Sequence, residues 1–344
     1  MDNRPDAIKT WLTGILPNER FELTAASQDA SFRRYFRVSR ANGESFIVMD
    51  APPSHEDSRH FVHVAGLLRK AGVNVPETLA TDFEQGFLLL SDLGTVRYLD
   101  ILSDDRVERL YGDAMGALLA IQACAPCEQI PEYDAALLDE EMLLFRDWFI
   151  KRHLGIPITD TIDEILGDAF DFLEIIASEQ PQVFVHRDYH SRNLMVQARH
   201  NPGILDFQDA VQGPITYDPV SLLKDVYISW PQTRVEAWAL GYRDLAIQHG
   251  ILVDDVDSET WLQWFDLMGV QRHLKIAGIF ARLYHRDSKP GYLPNIPLTL
   301  DYLAFTCGQY PELADLGKLL DDLDVHRRTR DWNASLFPAL EIQD

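Results

Sequence analysis

Residues 183–207 constrain this chain more than any other stretch, because they set loop, strand, turn and strand around polar side chains in a fixed order. Val183-Phe184-Val185 reads as a strand entering the loop His186-Arg187-Asp188-Tyr189-His190-Ser191-Arg192-Asn193. Leu194-Met195-Val196 and Ile204-Leu205 read as two short strands joined by a turn at Arg199-His200-Asn201-Pro202-Gly203, with Asp206-Phe207 at the exit. A hairpin brings its ends together, so Asn193 and Asp206 are expected side by side, able to share a cation. Asn193 follows Asp188 by five residues and Asp206 follows Asn193 by thirteen. A carboxylate to orient an acceptor hydroxyl, then hard oxygen ligands for the Mg²⁺ that bridges phosphates, is the order phosphoryl transfer requires. The competing reading is a buried loop whose Asp and Asn only bond backbone. It accounts for an isolated His-x-Asp, but not for the full set with strands in these places.

The N-terminal part has the two-residue period of strands. Residues 22–51 read as a three-stranded meander turning at Ala41-Asn42-Gly43-Glu44, followed by a helix over 57–69 and strands over 78–83 and 87–90. Ser91-Asp92-Leu93-Gly94 then reads as a hinge. Beyond it the period becomes 3.6: Ser103 is a candidate N-cap, and Val107, Leu110, Tyr111, Ala114, Met115, Leu118 and Leu119 share a face. Further helices are expected near 137–153, 163–178, 217–229, 232–247, 258–285 and 297–305. The expected class is α+β, with a five-stranded antiparallel lobe over residues 1–93 and a larger, mainly helical lobe over 94–344.

Composition narrows the partners. A chain of 344 residues with 46% hydrophobic content can bury a large core, and a formal charge of −23 argues against nucleic acid. No apolar leader follows Met1, and no run reaches the ~18 residues of a membrane span. Three cysteines suit a reducing cytoplasm, the expected location. Cys124 and Cys127 form a Cys-x-x-Cys at a helix end, without the strand or second pair that redox or metal chemistry would need. No obligate protein partner is implied. Two stretches are basic against this background: residues 27–40, with Arg33, Arg34, Arg37 and Arg40 against Asp29, and residues 266–289, with Arg272, Lys275, Arg282, Arg286 and Lys289 against Asp266 and Asp287, each net +3. Either could receive an anionic group, triphosphate at the first and a phosphate or carboxylate at the second. Either could equally be a solvated face.

In the loop and hairpin the chain resembles the aminoglycoside phosphotransferase-like kinases, a superfamily that includes choline and other small-molecule kinases. Four segments resemble more closely the anomeric sugar kinases that act on N-acetylmuramate and N-acetylglucosamine in peptidoglycan recycling. They are Ser31-Phe32-Arg33-Arg34-Tyr35-Phe36, Val48-Met49-Asp50-Ala51-Pro52-Pro53, His186-Arg187-Asp188-Tyr189-His190-Ser191-Arg192-Asn193 and Gln271-Arg272-His273-Leu274-Lys275. The resemblance implies a protein-kinase-like two-lobed fold, ATP and Mg²⁺ as cofactors and a small sugar as acceptor. It implies Asp188 as catalytic base, Asn193 and Asp206 as metal ligands, and hinge backbone at Leu90 and Ser91 for the adenine. Asp218 would brace the catalytic loop through backbone N–H groups, or cap the helix that follows; His186 would anchor the same loop. Arg272 and Lys275 are candidate acceptor contacts.

The chain departs from the broad family at two places. The strand lysine that contacts phosphates is replaced by Met49, and its glutamate partner by Phe61, so the pair is absent together. The phosphate loop Asp29-Ala30-Ser31-Phe32-Arg33-Arg34 has no glycine, which leaves Arg33 or Arg34 to meet the triphosphate. Alternatives to an amino-sugar kinase are a kinase of another hydroxyl compound, such as an aminoglycoside, choline or homoserine, and a non-catalytic ATP-binding pseudokinase suggested by Met49.

Overall fold

The alternating strands of the N-terminal part need something to cover their apolar face. In the computed structural model, which describes residues 4–16, 20–28 and 33–337, that cover is a helix. Ile8, Trp11, Leu12 and Ile15 fall on one face of α1 (Arg4–Ile15), and Ile8 and Leu12 are fully buried against Val38, Val48, Phe87 and Leu89 of the sheet. This helix goes beyond the sequence-based expectation, although its spacing is helical. The sheet is antiparallel in the order β1-β2-β3-β5-β4. Its strands are β1 (Phe21–Gln28), β2 (Arg34–Arg40), β3 (Ser45–Asp50), β4 (Thr78–Asp82) and β5 (Phe87–Ser91). Asn42-Gly43 turns β2 into β3, with Gly43 at φ +88°. Residues 29–32 of the expected phosphate loop lie outside the described residues.

By contact density the chain forms two compact units, Met1–Ala125 with Arg192–Asp209, and Pro126–Ser191 with Ala210–Asp344. The first also holds α2 (Ser58–Lys70), α3 (Tyr98–Ile101) and α4 (Val107–Cys124). Asp57 caps α2 by accepting the Arg59 N–H. Ser103 does not cap α4. Its hydroxyl donates to Asp105 and its carbonyl closes a turn, so the helix starts four residues later at Val107.

The second unit holds α5 (Ala135–Leu144), α6 (Asp160–Glu179), α7 (Tyr217–Leu223), α8 (Gln232–Gln248), α9 (Ser258–Asp287), α10 (Ile296–Cys307), α11 (Ala314–Asp322) and α12 (Val325–Leu336). Strand Gln182–Val185 pairs antiparallel with Val211–Pro214. Two helices expected as single runs differ. The helix near 137–153 changes at Leu144 from α to a π-helix over Phe145–His153. The helix expected over 217–229 stops at Leu223 because the Asp225 carboxylate is committed to the N–H groups of Ser191 and Tyr227. Among the described residues no helix is long and apolar enough to cross a membrane.

Helix α9 is the axis of this unit: nearly every residue from Trp264 to Gly278 is buried. At Gly278 a side chain is excluded, because an added Cβ would lie 2.3 Å from the Leu144 carbonyl carbon and 2.5 Å from its oxygen. Gly278→Ala therefore forces α5 and α9 apart, with a cost on the order of 3 kcal/mol. A thermal unfolding midpoint within about 1 °C of wild type would contradict this contact.

Candidate active site

In the first unit the hairpin forms as its sequence dictates. Leu194 pairs with Ile204 and Met195 with Gly203, and the Leu205 N–H donates to the Asn193 carbonyl at 2.9 Å. The side chains at its two ends meet: Asn193 Nδ2 lies 3.4 Å from Asp206 Oδ2. Asp206 has a left-handed backbone, φ +64°, a sparsely populated region for a residue with a side chain. Phe207 packs at a tilt against Phe61, with ring centroids 4.8 Å and ring planes 39° apart. Met49 is buried in β3 between Tyr35 and Leu88. Among the described residues no three His, Cys, Asp or Glu side chains cluster as a metal site. Two hard donors, Asn193 and Asp206, suit magnesium, which completes its shell with phosphate oxygens and water.

The arginines of the basic hairpin diverge, as strand alternation requires. Arg33, buried, approaches Asp206 Oδ1 at 3.9 Å and Asp209 Oδ2 at 4.0 Å. Arg34 reaches the fully buried Asp50 at 2.6 Å, and Arg4 pairs with the same carboxylate. Arg37 grips Asp92 with two bonds, at 2.7 and 3.1 Å, and donates to the Gly94 carbonyl, which ties the segment after β5 to β2. Arg40 pairs with Glu44. Leu90 is buried in β5, and the Ser91 N–H is already donated to the Glu77 carbonyl.

In the second unit the loop after Val185 is clamped by carboxylates at both ends. Asp218 accepts the N–H of His186 at 2.6 Å and of Arg187 at 3.0 Å. Asp225 accepts both the N–H and the hydroxyl of Ser191. Asp218 makes no cap bond to α7. Arg187 sits at φ +74°, its carbonyl held by Arg272 Nη1 at 2.7 Å. His186 is fully buried, its Nδ1 accepts the Asp188 N–H, and its ring packs edge-on against Tyr189.

Arg272 and Lys275 are buried beside Asp188, on the inner part of α9 and not in an exposed patch. Arg272 Nη2 lies 3.9 Å from Asp188 Oδ1, and Lys275 bonds Tyr217 Oη and Glu141, each at 2.9 Å. Burial alone would raise the Asp188 carboxyl, but Lys275, Arg272, His190 and Arg187 together hold it at about 2. It is therefore ionised at neutral pH. Burial pushes the Asp218 carboxyl up to about 7, against the His186 N–H, Arg272 and the Arg187 N–H.

Two buried carboxylates join this network without a motif to mark them in the sequence, Glu141 through Arg187 and Lys275, and Asp225 through Ser191. Both carry a readable signal. Glu141 interrupts the apolar stripe of Leu138, Met142 and Phe145, and Asp225 follows the apolar run through Leu223.

The APH phosphotransferase enzyme family matches residues 22–251. This chain belongs to that family. The N-acetylmuramate/N-acetylglucosamine kinase of Pseudomonas putida is 50% identical to this phosphotransferase over 306 residues, which is 89% of each chain. The protein of the same name from Pseudomonas aeruginosa is 48% identical over 333 residues, covering 94% of this chain and 97% of its own. The crystal structure of choline kinase LicA from Streptococcus pneumoniae matches with a TM-score of 0.62 at 12% identity, over 88% of this chain and 99% of that one. The protein-kinase-like α+β fold of the phosphotransferase follows from that likeness and from its five-stranded sheet.

Two outcomes are expected. Arg33→Ala weakens Mg·ATP binding by about 10- to 100-fold, the worth of one charge-assisted hydrogen bond. Arg34→Ala leaves nucleotide affinity near wild type but lowers stability, because Asp50 loses a partner. Calorimetric titration with nucleotide and thermal unfolding distinguish the two, and wild-type affinity in both variants would leave Arg33 as a partner of Asp206 and Asp209 with no part in nucleotide binding. The second concerns pH. The ionised Asp218 is the form that accepts both N–H bonds, so kcat rises with pH through about 7 as it loses its proton. A profile across roughly pH 5.5–8.5 tests this. The same acid limb in Asp218→Asn would place the titrating group elsewhere.

Proposed function

We propose that this phosphotransferase is a Mg·ATP-dependent kinase that transfers the γ-phosphoryl group to the anomeric C1 hydroxyl of N-acetylmuramate and N-acetylglucosamine. The products are the α-1-phosphates, and the setting is peptidoglycan recycling in the cytoplasm, where ATP is supplied. The observation that carries this reading is the activity named for both Pseudomonas relatives, at 48% identity or more over at least 89% of the chain. Retention of Asp188, Asn193 and Asp206 supports an active enzyme over a pseudokinase.

Asp188 accepts a hydrogen bond from the acceptor hydroxyl and aims its oxygen at the γ-phosphorus. A carboxyl held at about 2 is a weak base, so its main contribution is orientation. The oxygen–phosphorus bond forms as the bond to the bridging oxygen of ADP breaks. The electron pair leaves with ADP, and the hydroxyl proton passes late to Asp188 and then to water. Arg272 and Lys275 keep Asp188 ionised instead of presenting a free anion pocket. Asn193 Oδ1 and the Asp206 carboxylate would hold magnesium, which would supply positive charge against the phosphates. Arg33 takes the charge-neutralising place of the missing strand lysine. Hinge backbone at Leu90 and Ser91 would meet the adenine, with the Ser91 N–H itself engaged by the Glu77 carbonyl.

The test is turnover of each sugar with Mg·ATP, with ³¹P–¹H coupling read on the product. Phosphate at C1 of the α-anomer is expected for both sugars, and Asp188→Asn should lower kcat by about 10²- to 10⁴-fold. Phosphate at C6, or no turnover of either sugar, would sink the assignment.

A further inference from the structure

Glu141 is an acidic residue in the wrong place for a solvated helix. It lies on the inner stripe of α5, its side chain only 7% exposed. A carboxylate there is tolerated only if its surroundings compensate it, and four donors do: Arg187, Lys275 at 2.9 Å, the Tyr133 hydroxyl, and Gln271 at 3.5 Å. Burial pushes the Glu141 carboxyl up, but Lys275 and Arg187 overcome this and hold it below the usual range.

What Glu141 grips gives the arrangement a direction. Arg187 directly precedes Asp188 and has a left-handed backbone that a residue with a side chain keeps only where its surroundings over-determine it. Each part of Arg187 has its own anchor, on a different helix. Asp218 of α7 takes the N–H, Arg272 of α9 holds the carbonyl, and Glu141 of α5 takes the guanidinium. The same Glu141 carboxylate holds Lys275, whose amine also bonds Tyr217. Removing the glutamate charge leaves Arg187, Arg272 and Lys275 buried around Asp188 with one strong counter-charge fewer. Two of them lose their shared anchor.

We propose that Glu141 is a positioning residue, which acts through Arg187 and Lys275 to set the direction of the Asp188 carboxylate toward the acceptor hydroxyl. The inference rests on Asp188 being the acceptor-orienting group. It assigns Glu141 no contact with either substrate.

The experiment measures kcat and KM for Mg·ATP and for N-acetylglucosamine in Glu141→Gln, Arg187→Met, the double variant and Asp188→Asn. Glu141→Gln keeps the shape and removes the charge. A misplaced catalytic group should lower its kcat by about 30- to 100-fold with KM for ATP within about threefold of wild type. Because the two side chains act as one unit, the double variant should be no slower than the slower single variant, within about threefold. A residue that matters only for stability would leave kcat of the folded fraction unmoved. Should Glu141→Gln fail to fold, Glu141→Asp keeps the charge but draws it back by one methylene, and a kcat loss of at least about tenfold is expected. The proposal is overturned if the folded Glu141 variants turn over within about threefold of wild type while Asp188→Asn is inactive. It is also overturned if the Glu141 and Arg187 losses multiply. An active Asp188→Asn defeats the acceptor-orienting role itself and this inference with it.

Discussion

Asp218 has no exposure to water, yet it is the group that holds the backbone of His186 and Arg187. A carboxylate so placed is tolerable only because donors face it, and those donors belong to the loop that carries Asp188. The charges of this unit form a chain around that contact. Arg272 holds the Arg187 carbonyl, Lys275 links Tyr217 to Glu141, and farther along α9 Asp266 pairs with Lys224 at 2.7 Å. Removing one member of such a chain strands the others, at a cost of about 3–5 kcal/mol where a buried pair is broken. The loop is therefore held in place by electrostatics that α9 carries through the interior.

The smaller unit solves a different problem. Its hairpin must hold the polar side chains of Asn193 and Asp206 side by side. It does so with backbone pairing, with the Phe61–Phe207 contact, and with Arg33 beside Asp206. Met49 and Phe61 are both buried and both apolar, so neither position leaves an unmatched charge. Arg34, Arg37 and Arg40 each meet a carboxylate of their own, which explains why a run of four arginines does not make a single anion site.

The hairpin and the five strands were legible because period and turn chemistry are local. Asn193 and Asp206 could be paired from the strand lengths alone. Helix ends were less legible where a side chain had a tertiary partner: Ser103 bonds Asp105 and Asp225 bonds Ser191, and neither contact follows from spacing. The basic run on α9 read equally well as an exposed face. Only its position in the unit shows that Arg272 and Lys275 point into a buried network. Glu141 was visible as a charge on an apolar stripe, but its partners lie 46 and 134 residues away in sequence.

The balance of inward-facing charges has a consequence for the molecule's outside. The buried bases Arg33, Arg272, Lys224 and Lys275 are matched by the buried acids Asp50, Glu141, Asp218, Asp225 and Asp266, so nearly all of the formal charge of −23 lies toward solvent. A polyanionic nucleotide approaches such a surface against the protein's long-range field. Added salt shortens the reach of that field to about 10 Å at 0.1 M, so moderate ionic strength should hasten encounter with nucleotide where it slows most enzymes that attract their anionic substrates. A divalent cation bound to the nucleotide would ease that approach before any chemistry, because it would lower the charge that must cross the repulsive zone.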